Sequence, residues 1–140
     1  MRCVAVDEVE KFIEAYARAI QEPSDNNLLN LLHALLPFSP AGIEWGLEIA
    51  SLAGVTYMLE DGRAIAVKVS RDEFGPFMQT SVAQVSLNTI PSAALKNIKD
   101  VKAFVNRVAE HLSEWARRMP DTNPVKKRVE TLLMRVRQLD

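Results

Sequence analysis

Seven cations crowd the end of the chain: Arg117, Arg118, Lys126, Lys127, Arg128, Arg135 and Arg137. Ammonium and guanidinium groups at this density can contact phosphates and release the counterions condensed on a nucleic acid. The plainer alternative is a solvated helix whose cations complement the negative end of its own dipole. Between residues 124 and 139 only Glu130 opposes them, and Arg117 and Arg118 stand just across the Pro120 turn. All seven are candidate phosphate contacts, and the packing of the last two helices decides whether they converge on one surface. The rest of the chain sharpens the contrast. Residues 1–90 carry 6 Lys and Arg against 12 Asp and Glu, and residues 91–140 carry 11 against 6. Halves of −6 and +5 hide inside a net charge of −1. Such asymmetry points to a polyanion at the basic end. At the acidic end, Asp7, Glu8, Glu10 and Glu14 suit the positive end of a helix dipole. They could also dock on the basic end of another copy, a head-to-tail contact that builds filaments or arrays.

Other residue types carry less chemistry. Lys96 with Asp100, and Glu114 with Arg118, stand four apart and read as ion pairs on a solvated helix. His33 lies among leucines and reads as a boundary residue. His111 lies among charged neighbours and reads as surface. Two histidines without a third partner make no zinc site, so no metal and no cofactor is expected. Arg107 and His111 are one turn apart, but helical ribonucleases space such a pair more widely, with a polar residue between. Glu60, Asp61 and Lys68 straddle a turn that itself requires Asp61. Cys3 has only Arg2 as a cationic neighbour, and no glycine-rich phosphate loop occurs. The chain is expected not to be an enzyme.

Aromatic stacking would strengthen a nucleic-acid reading. Trp115 and Phe104 fall in an apolar helical stripe and read as core, leaving Tyr57 as the exposed candidate. A winged helix would need cations on its recognition helix, whereas 40–53 carries Glu44 and Glu48 and no Lys or Arg.

The elements that must hold these groups follow from period and punctuation. Asp7 with Glu10 forms a capping box for a first helix that ends at Glu22-Pro23. Ser24-Asp25 caps a leucine-rich second helix that Pro37 closes. Ser39-Pro40 opens a third helix, with Ile43, Leu47, Ile49 and Leu52 inward and Gly54 as its stop. Period then falls to two. Runs at 55–59 and 64–69 flank Asp61-Gly62, a hairpin turn that pairs Leu59 with Ala64, Tyr57 with Ala66 and Val55 with Lys68. A charged loop at 71–76 leads to a third strand at 77–87. Pro91-Ser92 opens one long helix to Met119, its stripe running from Ile98 to Trp115, and Asn123-Pro124 starts the last.

The expected fold class is therefore α+β in a single domain, 1–140. A mainly helical part is formed by the N- and C-terminal segments, 7–53 and 92–139, with a small antiparallel three-stranded insertion at 55–87. At 140 residues the chain can bury a core unaided, and its one cysteine allows no internal disulfide. With no long apolar run and no signal-like N-terminus, a cytoplasmic protein away from membranes is expected.

In this layout, with the leucine helix at 27–37 and the helix at 98–112, the chain resembles the small subunits of archaeal type I-A CRISPR interference (Cascade) complexes. That resemblance implies a non-catalytic accessory subunit, several copies of which line a ribonucleoprotein and hold a displaced DNA strand by its backbone, in antiviral defence. The basic residues of the last two helices would make the contact. The expected partners are single-stranded DNA or RNA and other protein subunits, including further copies of the chain. The alternative is a protein-interaction scaffold with no nucleic-acid role, docking through its hairpin faces and leucine helix.

Overall fold

The structure is a computed structural model; it describes the backbone of residues 4–71 and 78–139 and the side chains of 8–68 and 80–139. Two helices, α1 (Val4–Gln21) and α2 (Asp25–Leu35), precede four strands, β1 (Leu47–Leu52), β2 (Val55–Glu60), β3 (Arg63–Arg71) and β4 (Met78–Val85). Three helices follow: α3 (Ser92–Leu95), α4 (Val101–Arg118) and α5 (Pro124–Gln138). The fold class is α+β, with the strands in one antiparallel sheet of order β1-β2-β3-β4.

Local signals account for much of this. Ser24 accepts the Asn27 N–H at 3.2 Å and starts α2. Asn123 accepts the Val125 N–H at 2.9 Å and starts α5, with Pro124 in its first turn. The central hairpin adopts the expected register, Leu59 opposite Ala64, Tyr57 opposite Ala66 and Val55 opposite Lys68. Asp61 takes φ 50°, the left-handed value that this turn type needs. α1 begins three residues before Asp7, which lies inside the helix and is not its cap.

Three expectations are corrected. The helix at 40–53 does not form. Gly42 stands at φ 96°, a short 3-10 turn covers Ile43–Trp45, and Leu47–Leu52 is a strand, so the sheet has four strands where three were expected. Apolar residues at 43, 47, 49 and 52, spaced four, two and three apart, fit a helix as well as a strand with one irregularity, and pairing with β2 decides. Gly54 (φ 81°) is the second residue of the β1–β2 turn and no helix stop. The long helix is also broken. Asp100 accepts the Ala103 N–H at 3.3 Å and caps α4, and Asn97 Nδ2 donates to the Ala94 carbonyl at 3.2 Å. Both side chains compete with the helical ladder. The Lys96–Asp100 pair does not form among the described residues, while Glu114–Arg118 does, at 3.0 Å. The last strand is shorter than 77–87: Leu87 sits in a 3-10 turn, and the loop expected at 71–76 lies, from residue 72, outside the described residues.

One apolar core joins both chain ends to the sheet. It holds Phe12 and Tyr16 from α1, Leu28, Leu31, Leu32 and Leu35 from α2, and Leu47, Leu59 and Ala64 from the sheet. Phe104, Val108, Leu112 and Trp115 of α4 and Val129, Leu132 and Val136 of α5 complete it. The helices meet the sheet chiefly at β1, through α3 and the turn after it. Tyr57 packs against this core and is not the exposed stacking platform anticipated for it.

Candidate interaction surfaces

The helical spacing of α5 divides its cations. Val129, Leu132, Leu133 and Val136 face the core. Arg128 and Arg135 lie on one flank of that stripe, Lys126 and Arg137 on the other, and Lys127 points away from it.

The first flank is tied into the fold. Arg128 Nη1 donates to the Pro37 carbonyl at 3.1 Å. Arg135 Nε donates to Glu10 Oε1 at 3.1 Å, and its Nη1 reaches Gln138. The acidic front and the basic back thus meet within one chain. On the second flank, Lys126 Nζ donates to the Met119 carbonyl at 2.9 Å and to Asp121 Oδ1 at 2.8 Å. The hydrogen bond from Lys126, then its charge, with a smaller contribution from Lys127, holds the Asp121 carboxyl below the ordinary aspartate range. Glu114 accepts from both Arg117 and Arg118, and the Arg118 guanidinium lies 5.6 Å from the centre of the Trp45 ring.

The seven cations therefore form no single patch. Arg117, Lys126 and Arg137 come together along a groove between α4 and α5, with Ser113, Ala116 and Leu133 beneath them. Glu130 lines the same groove, and Glu110 and Glu114 line the cleft that adjoins it at Ser113, Arg117, Leu133 and Arg137. Of the seven, Arg137 alone has no side-chain hydrogen bond or charge partner among the described residues; Lys127 acts on Asp121 through its charge only, and both are exposed.

The histidines part company. His33 is exposed on α2, against the boundary position expected. His111 is half-buried: its Nε2 lies 2.8 Å from the Trp45 carbonyl and its ring 5.6 Å from the indole, a contact that fastens the turn before β1 to α4. Arg107 covers the Phe104 ring at 5.7 Å. His111 and Arg107 border a cleft of about 280 Å³ with Glu44, Glu48 and Met58. Among the described residues no three His, Cys, Asp or Glu side chains are grouped as metal ligands would be, and no helix is long and apolar enough to cross a membrane.

A second surface lies on the sheet. Glu60 and Arg63 flank the two-residue Asp61-Gly62 turn and form its closing hydrogen-bonded pair. Alternation from that pair aims the N–H and C=O groups of Ala64, Ala66 and Lys68 at β4. Their partners in β4 are Val85, Ala83 and Ser81. The backbone groups of Thr80, Val82 and Gln84 then point outward, where no strand follows among the described residues. Residues 80–84 are all exposed, and β4 contains no charged residue. The opposite edge differs: β1 is flanked by α3, carries Glu48, and is irregular between Glu48 and Ala50. Sequence reasoning passed over this edge. Its signal is the lack of any charge between residues 74 and 95, an absence where motifs are sought as presences. No protein-family model, curated protein or solved structure matches the chain.

Proposed function

We propose that this chain is a non-catalytic protein-interaction module that receives an extended strand on β4. The observation that carries this reading is the open edge: outward backbone groups at Thr80, Val82 and Gln84 on a strand without a charge. Native sheets usually guard such edges with lysine, proline or a bulge, because unpaired N–H and C=O groups template another strand. Strand addition takes its affinity from main-chain bonds and its selectivity from alternate side chains. Val82, 42% exposed, is the apolar contact that an added strand would meet. The single cysteine suits a cytoplasmic setting. The test is amide exchange on the isolated chain. Fast exchange at Thr80, Val82 and Gln84 beside slow exchange at Ser81, Ala83 and Val85 supports an open edge. Equal protection at all six overturns it.

A second reading is favoured by Arg137, which lacks a partner among the described residues and shares a groove with the exposed Arg117, and by the exposed Lys127. In it, the module holds single-stranded DNA or RNA by its backbone, and the resemblance to Cascade small subunits supplies an antiviral ribonucleoprotein as the setting. Three phosphate contacts imply that affinity falls only about 20- to 40-fold between 50 and 200 mM salt. Fluorescence anisotropy with labelled strands measures this, and no binding at micromolar protein in low salt rejects it.

A further inference from the structure

We infer that the strand received by β4 is β4 of a second copy, paired antiparallel about a two-fold axis at Val82. This rests on the open-edge reading above and adds the occupant and the register.

Three features choose the occupant. The first is charge. Two copies of β4 laid edge to edge bring no like charges together. Like charges directly opposite one another would oppose pairing. The second is regularity. β4 follows β3 without a bulge from Ala64↔Val85 to Arg71↔Met78, so nothing twists its outer edge away. The third is number. The other edge, β1, carries Glu48 and is irregular between Glu48 and Ala50, two devices that guard an edge, so β4 is the edge left to pair. A single edge pairing with itself is isologous and closes at two copies, while two open edges would propagate.

The register follows from the outward groups. Only residues whose N–H and C=O face outward can form hydrogen-bonded pairs across the new seam. In β4 these are Met78, Thr80, Val82 and Gln84, and an axis at Val82 is the one that sets the exposed Val82 against its own mate. Placing the axis there sets Val82 against its symmetry mate and Thr80 against Gln84 twice. Each such pair exchanges two bonds, about six in all. Val82, a large hydrophobic left exposed in the single chain, is then covered. The two sheets become one antiparallel sheet. A seam this short buries less than a standard interface, so dissociation on the order of micromolar is expected.

Sedimentation velocity across a concentration series, with amide exchange alongside, tests the inference. The wild type should move from 15.7 kDa toward twice that mass. Thr80, Val82 and Gln84 should gain protection over the same range. Val82→Pro removes only an outward N–H, which an edge strand tolerates, and should weaken association about 30-fold or more. Val82→Lys puts two ammonium groups at the axis and should act likewise. Circular dichroism checks that each variant stays folded. A wild type that remains monomeric at several hundred micromolar overturns self-pairing, as does a dimer that survives both variants. The underlying reading fails separately, when the three outward amides of the monomer are already protected.

Discussion

The buried carboxylate of Glu60, at the end of β2, accepts the Gly42 N–H at 2.8 Å through one oxygen, and the Arg63 Nε–H at 3.1 Å through the other. One residue thereby fastens the irregular segment between α2 and β1 to the hairpin turn. Ser39 works beside it, donating to the Leu36 carbonyl at 2.7 Å and accepting the Gly62 N–H at 2.8 Å. The Asp61 N–H donates to the Pro40 carbonyl at 3.0 Å. This latch explains why 40–46 has ordered backbone without a helix.

Glu60→Ala leaves the Gly42 N–H without its partner in a partly buried site and should destabilise the chain by about 1–3 kcal/mol. Glu60→Gln keeps an acceptor for Gly42 but loses both the charge and the hydrogen bond toward Arg63; because that arginine side chain is 45% exposed and can turn to water, the effect of this variant should be smaller. Urea denaturation of the two variants checks the order. Equal losses would show that the charge, and not the acceptor, holds the latch.

Ala53 stands at φ 52°, a left-handed conformation that costs a residue with a Cβ about 1–2 kcal/mol. Asn is favoured at that position of this turn type. Ala53→Asn should raise stability by about 0.5–1 kcal/mol, a shift of about 2–4 °C in the melting midpoint. An unchanged midpoint would mean that the turn relaxes at no cost.

The Asp121 carboxyl titrates below the ordinary aspartate range because Lys126 donates to it. A carboxylate with a depressed folded pKa adds stability above its unfolded pKa, and that contribution fades as pH falls through the folded value. Lys126→Met should return the Asp121 titration, followed by NMR, toward the ordinary value. It also removes the donor to the Met119 carbonyl just beyond α4. A titration that does not move would assign the depression to Lys127.

Legibility followed sequence distance. The hairpin register could be read because Asp61-Gly62 fixes it locally. The caps at Ser24 and Asn123 were legible for the same reason. β1 was not, since its apolar spacing suits two periods and its pairing with β2 decided between them. The break at Asp100 was missed because an acid four residues from Lys96 reads equally as an ion pair and as a cap. All seven cations were visible as charges, but their partners were not: Arg135 meets Glu10 across 125 positions, and Arg128 meets Pro37 across 91. Chain order cannot say which helix flanks will face each other, so a cluster in sequence dispersed in space.

That dispersal can be tested by charge reversal. Lys127→Glu with Arg137→Glu alters two exposed cations whose side chains make no hydrogen bond among the described residues, and should change stability by less than about 0.5 kcal/mol. If nucleic acid binds across the exposed cations of α5, this pair should weaken binding for all sequences alike and flatten the salt dependence by about two contacts. Arg135→Glu should do the opposite. It sets two carboxylates together at Glu10, where the arginine side chain is 35% and the glutamate 51% exposed, so solvent limits the loss of stability to about 1 kcal/mol. Binding should not respond. Equal effects of both sets on affinity would mean that the basic residues act as one field, and that their division between two flanks of α5 has no functional consequence.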